Sequence, residues 1–98
     1  MKTITPAEFA KLDGATLIDV REPEELAEVR TEAAVPMPMS TLQEHLADLP
    51  DGPLYIMCRS GARSARVTQF LEQQGYDATN LDGGILEWEA SGLPVTRG

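Results

Sequence analysis

The apolar positions of this chain alternate between two rhythms. Short apolar runs at Ala15 to Val20, Leu54 to Met57 and Tyr76 to Leu81 suit buried strands and are too brief for helices. Other segments carry apolar residues at helical spacing: Leu42, Leu46 and Leu49, then Val67, Phe70 and Leu71. Punctuation residues set the boundaries. Thr5-Pro6-Ala7-Glu8 combines a capping threonine, a proline at the first helical position and a glutamate in the capping-box position, predicting a short helix to about Lys11. Pro23, Glu24 and Glu25 open a second short helix, with acids at its positive end. Ser40 with Gln43 predicts a capping box for the leucine-bearing helix, which Pro50 stops. Gly75 ends the next helix, and Asp82-Gly83-Gly84 leads into a last one, from Ile85 to about Ser91, closed by Gly92. Strands alternating with helices imply an α/β fold with a central, largely parallel sheet and helices on both faces.

Composition bounds this picture. With 98 residues, 42% of them hydrophobic, the chain has room for one core, so residues 1–98 are expected to form a single domain. One cysteine permits no intramolecular disulfide. The opening MKTITPAEFAKLDG places charge and proline where a signal peptide needs an unbroken apolar run, and no stretch approaches the ~18 apolar residues of a membrane span. A cytoplasmic location is expected. Sixteen acidic residues against eight basic ones give a net charge of −8, which repels nucleic acid and anionic membranes as partners. That average hides one island. Gly52 to Leu71 contains no acid but holds Arg59, Arg63 and Arg66, together with the only cysteine, Cys58. A basic pocket in an acidic chain can capture a compact anion while the surrounding field opposes an extended one. The competing reading is a solvated helix face.

Cys58 directly follows a predicted strand, where ligands gather in open parallel sheets. The loop Cys58-Arg59-Ser60-Gly61-Ala62-Arg63 then enters a helix, so unpaired N–H groups and the positive end of the dipole converge on the sulfur. Arg59 and Arg63 add positive charge, and Gly61 permits the left-handed turn that a ring of inward N–H groups needs. These features favour a thiolate, the nucleophilic form. A lone cysteine is otherwise more often an inert core residue.

At this point the chain resembles single-domain rhodaneses over nearly its whole length. Leu17-Ile18-Asp19-Val20-Arg21 resembles the family's strand motif, Cys58 to Ser64 its active-site loop, and Leu81-Asp82-Gly83-Gly84-Ile85 with Trp88 its carboxyl-terminal motif. The resemblance implies a sulfurtransferase. Cys58 would accept a sulfur from thiosulfate or a persulfide donor and become a persulfide, and Arg59, Ser60, Gly61, Ala62 and Arg63 would hold the anionic sulfur and its donor. One segment departs from the family pattern: Val29-Arg30-Thr31-Glu32-Ala33-Ala34 replaces a Gly-His-(Ile or Leu)-Pro-Gly-Ala stretch. Cysteine phosphatases place a longer loop between cysteine and arginine than the four residues found here, and no general acid can be assigned.

Other residues attract blander readings. Asp19 and Arg21 are expected to form a structural ion pair, His45 to sit at the edge of an apolar face, Trp88 to anchor the core and Gly83-Gly84 to be a helix-entry turn. Met37, Met39 and Met57 read as gap-fillers. No metal or cofactor is expected. With no second cysteine to resolve a persulfide, the acceptor must be external: a small thiol, cyanide or a partner protein's cysteine. The alternative function is a non-enzymatic persulfide carrier or redox-sensing module acting on a partner.

Overall fold

The computed structural model describes residues 1–98. In chain order the elements are β1 (Lys2–Ile4), α1 (Pro6–Phe9), β2 (Thr16–Asp19), α2 (Pro23–Glu28), β3 (Val29–Arg30), β4 (Ala34–Pro36), a 3-10 helix (Met39–Asp48), β5 (Leu54–Met57), α3 (Ala62–Gln73), β6 (Ala78–Leu81), α4 (Gly84–Ala90) and β7 (Thr96–Arg97). Five strands form one parallel sheet in the order β1-β6-β5-β2-β4, as the alternation of elements predicts. β3 and β7 pair separately as an antiparallel ribbon.

The three inner strands are covered on both faces, and neighbouring residues point opposite ways. Ile18 and Ile56 face a core shared with Val67 and Leu71 of α3 and Leu42 of the 3-10 helix. Leu17, Met57 and Leu81 face the other core, with Phe9, Ile85 and Trp88 from α1 and α4. The edge strands β1 and β4 are short, and Pro36, which lacks a ladder donor, is tolerated because β4 is an edge. Neither edge strand nor the ribbon is foreseen from the hydrophobic pattern. No helix is long and apolar enough to cross a membrane.

Local predictions fare unevenly. The Thr5 capping box forms, with the Glu8 N–H donating to Thr5 Oγ1 at 3.1 Å and the Thr5 N–H to Glu8 Oε1 at 3.0 Å. The box expected at Ser40 does not. Ser40 Oγ instead donates to Glu22 Oε1 at 2.6 Å, Pro38 takes the N-cap position, and the segment winds as a 3-10 helix. Its tighter bonds, such as Thr41 N–H to the Pro38 carbonyl at 3.1 Å, still leave Leu42, Leu46 and Leu49 packed on the core. The atypical 29–34 segment is laced to the chain's own end: Val29 and Arg30 lie opposite Arg97 and Thr96.

The sheet order places a topological switch between β2 and β5. From β2 the chain moves outward to β4, then returns to the other side of β2 for β5 and onward to β6. The carboxyl ends of β2 and β5 therefore feed connections that diverge, opening a crevice between them. Asp19 and Arg21 brace one wall. Arg21, 1% exposed, places Nε and Nη2 at 3.1 and 2.9 Å from Asp19 Oδ2, and Nη2 also reaches the Val29 carbonyl at 2.8 Å. The buried pair thus ties the end of β2 to the end of α2. Replacing Asp19 by Ala strands the guanidinium, and we expect a loss of about 3–5 kcal/mol in urea unfolding. A loss below about 1 kcal/mol would show that this brace is dispensable.

Candidate active site

Cys58 follows β5 directly, opposite the end of β2, where the Val20 N–H donates to the Met57 carbonyl at 2.9 Å. The residue is 1% exposed, a recessed sulfur at the floor of the loop that leads to α3. It is nevertheless surrounded by donors. The Gly61 N–H points at Sγ from 3.1 Å and the Ser64 hydroxyl donates to it from 3.3 Å. Burial pushes the Cys58 thiol up, but the Ser64 hydroxyl and the backbone N–H groups of Ser64, Gly61 and Ser60 outweigh it, leaving the thiol below its ordinary value. A sulfur at the amino end of a helix, ringed by donors, is held toward the thiolate.

The donors face inward because the loop's carbonyls are engaged on its other side. The Cys58 carbonyl accepts the Ile85 N–H at 2.9 Å, and the Arg59 carbonyl accepts the Leu86 N–H at 3.2 Å. In a trans peptide the carbonyl and the following N–H point in opposite directions, so anchoring the Arg59 carbonyl on α4 turns the Ser60 N–H toward the sulfur. The Gly61 carbonyl accepts both the Ala65 N–H at 3.1 Å and Asn80 Nδ2 at 3.2 Å. Gly61 has φ +106°, a backbone shape that suits only glycine, in agreement with the turn expected there. Gly84, at φ +58°, lets α4 approach closely: a Cβ there would press on the Cys58 carbonyl and lie 2.5 Å from that of Arg59. The Gly83-Gly84 pair is therefore a helix entry, as expected, and also the seat of the cysteine loop.

The arginines divide. Arg63, on the first turn of α3, directs Nη1 and Nη2 to Glu25 Oε1 and Oε2 at 2.6 and 2.8 Å, a bidentate pair that holds the Glu25 carboxyl down to about 2. That pair adds stability above the ordinary glutamate range, which fades as pH falls toward 2. Arg59 is exposed, forms no ion pair, and lines a 120 Å³ hollow with Glu25, Glu28 and Leu86. Ser60 and Ala62 lie exposed on the rim. The structure thus brings all six expected residues to one loop, but the donors acting on the sulfur are hydroxyl and backbone groups. Ser64, Glu25 and Asn80 were not singled out from sequence. Ser64 closes the Cys58-to-Ser64 loop motif, whereas Glu25 and Asn80 reach the site only through the fold.

His45 is exposed and pairs with Asp48 at 3.2 Å, away from the site, and Trp88 is a core anchor whose Nε1 donates to the Pro94 carbonyl at 2.9 Å. Of the methionines, Met37 and Met57 are buried, while Met39 is 36% exposed.

Comparison with known proteins agrees with this geometry. Residues 5–91 match the rhodanese-like domain. The chain is 39% identical over 89 residues to a sulfurtransferase of Allochromatium vinosum, covering 89% of this chain and 83% of that one. It is 32% identical over 90 residues to the thiosulfate sulfurtransferase GlpE of Actinobacillus pleuropneumoniae, covering 90% and 83%. The crystal structure of a rhodanese-related protein from Thermoplasma volcanium superposes with a TM-score of 0.90 at 33% identity, over 98% of each chain. On the family match over residues 5–91, the identity to named relatives and the superposition alike, this chain belongs to the rhodanese-like domain family.

Proposed function

We propose that this protein is a sulfurtransferase that carries sulfane sulfur from thiosulfate, or from a persulfide donor, to an external thiophilic acceptor through a persulfide on Cys58. The observation that carries this reading is the ring of donors around a lone, recessed sulfur. In the first half-reaction the Cys58 thiolate attacks the outer sulfur of thiosulfate. The sulfur–sulfur bond of the donor breaks, sulfite leaves with the bonding pair, and the negative charge comes to rest on the terminal sulfur of the new persulfide. The loop N–H groups are suited to holding that charge, since they are fixed before the reaction and need no reorganisation, and the exposed Arg59 guanidinium adds positive charge at the rim. Arg63, with its fork already engaged by Glu25, serves to hold the loop's end in place.

In the second half-reaction an acceptor attacks the terminal sulfur, and the electron pair of the breaking bond returns to Cys58 as thiolate. The chain has no other cysteine, so this acceptor comes from outside: cyanide, a small thiol or a protein cysteine. The relatives named as sulfurtransferases support the class of reaction, and GlpE, named for thiosulfate, supports the donor. A nucleophilic thiol with no disulfide partner suits the cytoplasm, where thiols stay reduced.

Three outcomes follow. Wild-type protein treated with thiosulfate should gain one sulfur atom by intact mass, lose it on addition of cyanide, and show ping-pong kinetics; Cys58→Ser should do none of these. An unmodified mass under saturating thiosulfate and persulfide donors would exclude the covalent route. The rate of Cys58 alkylation should rise with pH to a midpoint below that of a free thiol, because the thiolate is the reactive species and its pKa is lowered. In Ser64→Ala that midpoint should move upward by about one unit, and an unmoved midpoint would remove the hydroxyl from the account.

A further inference from the structure

Asn80 stands apart from every other polar residue of the inner sheet. It lies on β6, 4% exposed, paired in register with Ile56 and Thr3. Its Nδ2 donates to the Gly61 carbonyl at 3.2 Å, whereas its Oδ1 is buried without any hydrogen-bond partner. Turning the amide over would face two oxygens, so the observed orientation is the favourable one. A buried acceptor left unpaired is costly, and natural cores rarely keep one without a use for the group that carries it.

The use lies at the other end of the same amide. Gly61 is the most permissive residue of the cysteine loop, at φ +106°, and its N–H is the backbone group that donates to the sulfur at 3.1 Å. Left to the helix bond from Ala65 alone, a glycine in this conformation could swivel about its own dihedrals and carry its N–H off the sulfur. Asn80 supplies a second bond to the Gly61 carbonyl from the buried strand β6, which is paired on both sides, so Gly61 is held at its carbonyl while its N–H meets the sulfur.

We infer that Asn80 is a positioning residue for the sulfur cradle: its amide fixes Gly61 so that the Gly61 N–H stays on Cys58, and the chain retains it despite its unpaired oxygen. This inference rests on the sulfurtransferase reading only for its biological meaning, because its first consequence is read on the thiol itself. Asn80→Leu and Asn80→Ala remove the clamp and the orphan oxygen together. Both should raise the midpoint of the Cys58 alkylation pH profile by roughly half a unit to one unit and slow thiosulfate turnover at neutral pH about threefold or more. Asn80→Leu, which fills the same space and removes the unpaired oxygen, should not lower the urea midpoint of unfolding, whereas Asn80→Ala should lower it through the cavity it leaves. Asn80→Ser, a smaller polar replacement, should give an intermediate thiol midpoint.

A wild-type alkylation profile in folded variants would overturn the assignment, as would loss of folding in all three, which would make Asn80 a residue that the core itself requires. Failure of the sulfurtransferase reading would look different, since wild-type protein would then take up no sulfur while the Asn80 variants still shifted the thiol midpoint.

Discussion

A loop can aim its N–H groups at a sulfur only if its carbonyls are satisfied on the opposite side, and everything about the Cys58 site follows from that constraint. Here the satisfying groups are the first N–H donors of α4, which reach the Cys58 and Arg59 carbonyls at 2.9 and 3.2 Å. Such an approach leaves no room for a side chain where the helix begins, and Gly84 occupies that point. The orphan donors that every helix presents at its start are in this way used to stabilise another loop, and that loop's own donors are released for the anion. Two helix starts act in series: α4 orients the loop, and the loop with α3 cradles the sulfur.

The electrostatic design differs from what charge counting suggests. The basic island stands out because acids are missing from its own stretch of sequence, yet the fold returns one, bringing Glu25 of α2 onto Arg63. Arg59 and Arg66 are left without carboxylate partners in a chain of net charge −8. Short-range donors set the sulfur's proton affinity, while a free guanidinium adds its longer-range field at the rim. The first effect is nearly insensitive to ionic strength, and the second is screened over about 10 Å at 0.1 M salt.

The strongly patterned parts of the sequence were legible. The runs ending at Val20, Met57 and Leu81 are strands because both their faces are buried, and a fully buried strand must read as a continuous apolar run. Lys2–Ile4 and Thr96–Arg97 could not be recognised in that way, since each is mostly exposed and is held by backbone pairing that almost any residues could supply. The Ser40 box was misread for a related reason. Its local pattern was correct, but a residue eighteen positions earlier, Glu22, competes for the hydroxyl and wins. Cys58 and its loop were visible because their chemistry is contiguous. Asn80, twenty-two residues beyond the cysteine, is brought to it only by the pairing of β5 with β6.

The depth of the sulfur has one more consequence, for durability. Joining two thiols requires sulfurs about 2 Å apart and β-carbons within roughly 4 Å, so both chains must present their cysteines at the surface. Cys58 is 1% exposed beneath a rim of Arg59, Ser60 and Ala62, and two copies meeting face to face would touch rim against rim with their sulfurs still apart. A direct Cys58–Cys58 crosslink between two such rims would therefore require the loop to move. Slender reagents that can extend a single atom into the cradle are still admitted. The recess that shields Cys58 from solvent thus also sets it apart from the thiol of a second copy.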